Sequence, residues 1–173
     1  MFSIQSIELP VGTLLDNYSK TPGNYTDCFV VDVFGQVDLK HYIIAFYNSP
    51  LFKLERLLLS LVLRRSSTDL QVSQLADGDL MEFAAWTVEK REKDQILMCD
   101  VSKRTRSWLM VTSNNSSSFP GTRLYFGSAV LPNRSVDGAN ASIGLGYSSL
   151  IGVHRFYSRA LLWSAKVRIA KLG

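Results

Sequence analysis

The sequence predicts an α+β fold: an antiparallel sheet of about six strands, covered on one face by a long C-terminal helix, with a short helical pair after the first strand. Three observations carry that expectation. Between residues 39 and 65 apolar side chains recur at helical intervals. From about Ser67 to Leu131 the period falls to two, and short runs of turn-forming residues interrupt it. Near the end the helical period returns, and no proline breaks it.

The first 27 residues are polar and punctuated by Pro10, Gly12 and the run KTPGNYTD. They read as an N-terminal arm with one short strand near its start, leading into a domain over 28–172. The run CFVVDVFG (28–35) is rich in β-branched and aromatic residues and reads as a strand. Asp38 is placed to cap the helix LKHYIIAFYNS, in which Leu39, Tyr42, Ile43, Phe46 and Tyr47 share a face. Ser49 and Pro50 open a second helix, LFKLERLLLSLVLRR, with Leu51, Leu54, Leu58 and Leu61 on one side. Only about two residues separate the helices, so they form a tight pair.

Strands are expected over 68–76, 80–90, 95–101, 106–112 and 122–131. The separators ADGD, REKD, SKRT and SNNSSSFPG are turn chemistry, and connections so short join antiparallel neighbours into a meander. A loop rich in Gly, Asn and Ser, PNRSVDGANASIGLGYSS, precedes a final helix over 148–171. The 173 residues suit one domain with a substantial core.

The net charge of +4 is unevenly spread. Fourteen acids face nine bases up to Asp100, whereas Asp137 is the one acid after it, against ten Lys and Arg. Such asymmetry suits an anionic partner, but interleaved strands from both parts would mix the charges and leave it without consequence. The start, MFSIQSIELP, has no basic flank and does not read as a secretory signal. The longest apolar run, LLLSLVL, is too short to span a membrane. Several N-x-S/T sequons read as by-products of polar loops, and Cys28 and Cys99 as buried free thiols. Cytoplasmic residence is the expectation that fits these features together.

The order of elements, with NSPLFKLERL, FAAW, TRSWL, LYFGSAV and HRFYSRALL along it, resembles the helix-grip fold of the START-like superfamily, also called SRPBCC or Bet v-like. In particular it resembles an uncharacterised, mostly bacterial branch without an assigned activity. The resemblance covers roughly residues 27–172 and carries no catalytic motif. It implies a curved sheet wrapped on the C-terminal helix, with a cavity between them for apolar or amphipathic ligands. The chain departs from the pattern in its extended arm, its long loop before the last helix and a sheet one strand short. The nearest rival, an NTF2-like cone, normally begins with its helices and ends on strands, whereas this chain ends on its longest helix.

The final helix supplies the candidate site. At 100° per residue Arg155, Arg159 and Lys166 fall together, with Leu162 beside them, as the expected solvent face. The other side carries Val153, Phe156, Tyr157, Ala160, Leu161, Ser164 and Val167, flanked by His154 and Arg168. The expected ligand-binding set is His154, Tyr157, Leu161, Ser164 and Arg168. In one reading the protein itself satisfies these polar tips. In the other they orient a ligand in an apolar cavity, with Arg168 taking a carboxylate or phosphate.

Three functions follow as alternatives. The first is a binding module for a small apolar or amphipathic ligand. The second is a cyclase-, dehydratase- or isomerase-like enzyme in the same cavity, with His154 and Tyr157 as acid–base groups helped by Asp32. The third is an interaction module using the basic helix face. Asp32 and Asp100 are candidate acids wherever strand parity turns them inward, and Asp100 and Arg106 a candidate cross-strand pair. No cofactor, metal or nucleic acid is expected. There are two histidines, His41 and His154, and no clustered cysteines; GLGYSS lacks the third glycine of a dinucleotide loop; no G-x-S-x-G occurs; the aromatic residues sit in core-like positions.

Overall fold

A two-residue strand, β1 (Gln5–Ser6), and a single helical turn, α1 (Asp16–Ser19), lead into the ten-residue strand β2 (Tyr25–Phe34). Three helices follow: α2 (Leu39–Tyr47), α3 (Pro50–Leu63) and α4 (Asp69–Asp77). Five strands come next: β3 (Glu82–Phe83), β4 (Trp86–Arg91), β5 (Gln95–Asp100), β6 (Thr105–Ser116) and β7 (Phe119–Val130). The chain closes on the 28-residue helix α5 (Leu145–Leu172). The computed structural model describes residues 3–63, 67–116, 119–132 and 145–172, so most of the expected loop before α5 lies outside the described residues.

The strands form one curved antiparallel sheet in the order β1-β2-β7-β6-β5-β4-β3. It has seven strands rather than about six: the arm adds β1 and the stretch expected as one strand over 80–90 is a hairpin of two, while the strand expected over 68–76 is absent. That hairpin turns at Ala84, whose φ of 53° lies in the left-handed region, and pairs Phe83 with Trp86. The expected strand over 68–76 is instead α4. Thr68 and Gln71 form a reciprocal capping box, and Gly78, at φ 91°, ends the helix in the left-handed conformation. Arg91 donates to the last carbonyls of α4, those of Leu75 and Ala76, at 2.5 Å each. The apolar positions Val72, Leu75 and Ala76 then face the core at helical spacing.

The helical pair forms where the sequence places it. Asp38 accepts from the His41 amide at 2.8 Å, and the Ser49 hydroxyl from the Phe52 amide at 3.4 Å. The expected face of α2 is buried throughout. In α3 the register differs: Phe52 and Arg56 turn inward, and Leu54 is 53% exposed.

Alternation at period two gives the sheet two apolar faces. On the inner face Phe29, Val31, Val33, Ile96, Met98, Leu109, Val111, Leu124 and Phe126 meet α2, α4 and α5. On the outer face Cys28, Leu97, Trp108, Met110 and Ala129 are covered by Leu14 and Leu15 of the arm. Gln95 ties this second layer together, its side-chain oxygen accepting from the Leu14 amide at 3.0 Å and the Trp108 indole at 2.9 Å. Gly127 makes the close approach possible, since a Cβ there would lie 2.8 Å from both Leu15 and Trp108. Each large side chain so buried contributes roughly 1.5–3 kcal/mol.

Candidate functional site

Parity along β2 decides which carboxylates face the helices. Asp27 stands two residues before Phe29 and so lies on the inner face, beneath α5. Asp32 shares the outer face with Cys28 and Val30. There Arg123 clamps it with two bonds of 2.8 and 2.9 Å and holds its carboxyl below the usual range. Asp100 is used by the β5–β6 hairpin, accepting from the amides of Arg104 and Thr105 at 2.8 and 2.9 Å. Arg106 pairs with Glu89 at 3.0 Å instead of with Asp100. Trp86 packs on the inner core and Trp108 on the outer one.

The inward side of α5 is centred on Leu161 and Ala165, about a quarter turn from the expected angle. Leu162, expected beside the solvent face, is fully buried, whereas Val153 and Phe156 are exposed. The reason is that α5 packs against α2, β2, β7 and α3 at once. Leu161, Leu162 and Ala165 join the inner core, while Tyr157 meets Glu55 of α3 and Ser164 lies near Pro50 and Leu51.

The expected ligand set therefore divides. His154 Nε2 lies 2.6 Å from the Ser128 hydroxyl, which donates to Asp27 at 2.6 Å. The Ser128 amide and the Tyr25 hydroxyl complete the acceptor sphere of Asp27 at 3.1 and 3.3 Å. Burial pushes the Asp27 carboxyl up, while Ser128 and the nearby imidazole pull it back. The group contains a serine, a histidine and an aspartate, yet the serine stands between acid and imidazole. With its one proton given to Asp27, Ser128 has none to give the imidazole, an order unlike that of a nucleophilic triad, in which the imidazole stands between serine and acid.

Tyr157 donates to Glu55 of α3, whose carboxyl is pushed up by burial. Tyr47, fully buried, is close enough to Glu55 for the two to interact, and its phenol is driven well above its usual range by burial. Leu161 belongs to the inner core. Asp27, Ser128 and Glu55 are polar groups of this core that the sequence reading did not single out. Asp27 carried a usable signal, its even spacing from Phe29, Val31 and Val33. Glu55 carried none: of the expected leucine row Leu51 packs on the core and Leu54 is exposed, whereas the side chains of Leu58 and Leu61 lie outside the described residues.

Ser164 and Arg168 have a different setting. They line a cavity of about 490 Å³ between α3 and α5, together with Pro50, Leu51, Trp163 and Lys171. The Arg168 Nε is buried there with no hydrogen-bond partner among the described residues. A second cavity, of about 530 Å³, lies where the end of β2 meets α5 and is lined by Val33, Phe34, Val37, Lys166 and Ile169. Its charged groups are engaged: Asp32 with Arg123, His41 with Asp38 at 2.6 Å, and Lys166 in the field of Asp32.

Among the described residues no three His, Cys, Asp or Glu side chains are grouped to hold a metal ion, and no helix is long and apolar enough to cross a membrane. Compared with known proteins, the chain matches no family model, no curated protein and no solved structure.

Proposed function

We propose that the chain is a START-like module that binds a small amphipathic anion between α3 and α5, its carboxylate or phosphate on Arg168 and its apolar part against Leu51 and Trp163. Arg168 on the wall of a largely apolar cavity, with a buried Nε that has no partner among the described residues, supports this reading. A buried guanidinium donor without an acceptor is costly, and a ligand oxygen removes that cost. The cavity volume is that of a drug-sized ligand site. The order of elements, with the long helix closing on the sheet, supports the helix-grip resemblance on which the module reading also leans.

Native mass spectrometry of the purified protein, before and after organic extraction, tests the proposal. A co-purifying anionic amphiphile is expected, and Arg168→Gln should lower its occupancy about tenfold, as loss of one charge-assisted contact does. A clean unliganded spectrum, together with no binding of a fluorescent fatty acid, would sink it.

An enzyme remains the second reading because of one specific observation. Asp27 and Glu55 are carboxyls raised by burial; Glu55 accepts directly from Tyr157 of α5, and Asp27 is linked to His154 of α5 through the Ser128 hydroxyl. Such pairs are the usual material of general acid–base catalysis.

A further inference from the structure

The solvent side of α5 carries an exposed apolar strip. Val153 is 68% exposed, Phe156 75% and Trp163 55%. With Ala160 and Val167 they follow one another at steps of three and four, so they lie in one line along the helix. Arg155 and Arg159 form a parallel basic line beside it, continued by Lys166, which also lies in the field of Asp32. Over its 28 residues α5 has five Lys and Arg and neither Asp nor Glu. On α3, between the two residues that meet α5, Leu54 is also exposed.

We infer that this face of α5 docks on an anionic lipid surface. A line of exposed aromatic and aliphatic side chains beside a line of cations is the arrangement of a helix lying in a membrane interface, its rings at headgroup depth and its charges on lipid phosphates. Charge complementarity selects the occupant. A second copy packing its own α5 here would bring two helices of the same sign together, whereas an anionic leaflet attracts each added Lys or Arg. Trp163, Ala160, Val167 and Lys171 also line the ligand cavity, but Val153, Arg155, Phe156 and Arg159 do not, so substitutions at those four positions test docking apart from the ligand proposal.

The test is co-sedimentation of the full chain with vesicles of phosphatidylcholine alone or with phosphatidylglycerol. Binding is expected only to the anionic vesicles, weakening several-fold between about 0.1 and 0.5 M salt. Trp163 emission should shift to the blue on binding, because Trp108 is already buried. The pair Val153→Ser and Phe156→Ser should cut partitioning at least tenfold, and Arg155→Gln with Arg159→Gln should do so on anionic vesicles. Both positions are exposed, and unchanged thermal melting would show that the variants fold. Equal binding to neutral vesicles, no binding, or indifference to the Val153 and Phe156 substitutions overturns the proposal. So does a dimer in solution that the same substitutions dissociate. Fatty-acid binding by the vesicle-defective variants is expected to survive, which separates this failure from failure of the ligand reading.

Discussion

The two halves of α5 use polar side chains in opposite ways. In the N-terminal half, His154 and Tyr157 reach inward and meet protein groups, Ser128 and Glu55. In the C-terminal half, Ser164 and Arg168 border open space, and one guanidinium donor has no partner among the described residues. Four polar residues on one stripe thus have two fates, decided by what the neighbouring elements present. Where β2, β7 and α3 offer Asp27, Ser128 and Glu55, the stripe is locked into the core. Where α3 begins with Pro50 and Leu51, no side chain of matching polarity faces it among the described residues.

The sharpest test of this division is at Leu161, on the turn between the halves. Leu161→Ala should cost about 2–5 kcal/mol in urea unfolding if the residue is core, as its burial indicates. A loss below about 1 kcal/mol would place empty space beside it and extend the open half. Next comes Tyr157→Phe. It strips Glu55 of its hydroxyl donor inside the protein and should cost about 1–3 kcal/mol. The same pair gives a pH signature. Burial raises the Glu55 carboxyl, so the folded state holds a proton that the unfolded state has released, and stability falls as pH rises from the ordinary carboxylate range. Glu55→Gln should remove that fall and gain stability relative to the native chain toward neutral pH; identical pH profiles would mean that Glu55 stays ionised. The smallest loss is expected at Arg168→Gln: removing an unpartnered buried donor should leave the unliganded protein no less stable, to within about 0.5 kcal/mol, or stabilise it. A larger loss would place Arg168 with the structural residues of the other half.

Much of the frame is legible in the residues. Asp38 and Ser49 mark the starts of α2 and α3, and alternation from Gln95 onward yields β5, β6 and β7. Two local signals were misleading. Leu70, Val72 and Ala76 alternate like a strand, but the Thr68–Gln71 box and Gly78 outweigh the alternation and make a helix. Ala84 takes a left-handed turn without glycine or asparagine to announce it. The site was harder to read because helix rotation is a tertiary quantity. An apolar line on α5 fits the core as well as the solvent side, and Phe156 and Trp163 went outward because Leu161, Leu162 and Ala165 fill the contact with the sheet and α2. The Asp27–Ser128–His154 chain joins residues 101 and 26 positions apart, a separation that no local pattern reveals.

The arm laid over the outer face has a chemical consequence. Cys28 sits under Leu14 and Leu15, and burial pushes its thiol up to about 12, so in the folded chain it is almost wholly the unreactive thiol. Lifting the arm would return that sulfur to water and to an ordinary acidity. In a chain whose half-buried Cys99 is replaced by serine, the rate of Cys28 alkylation would therefore count the moments when Leu14 and Leu15 come away. What looks from its composition like a tail is then a latch, with its own reporter beneath it.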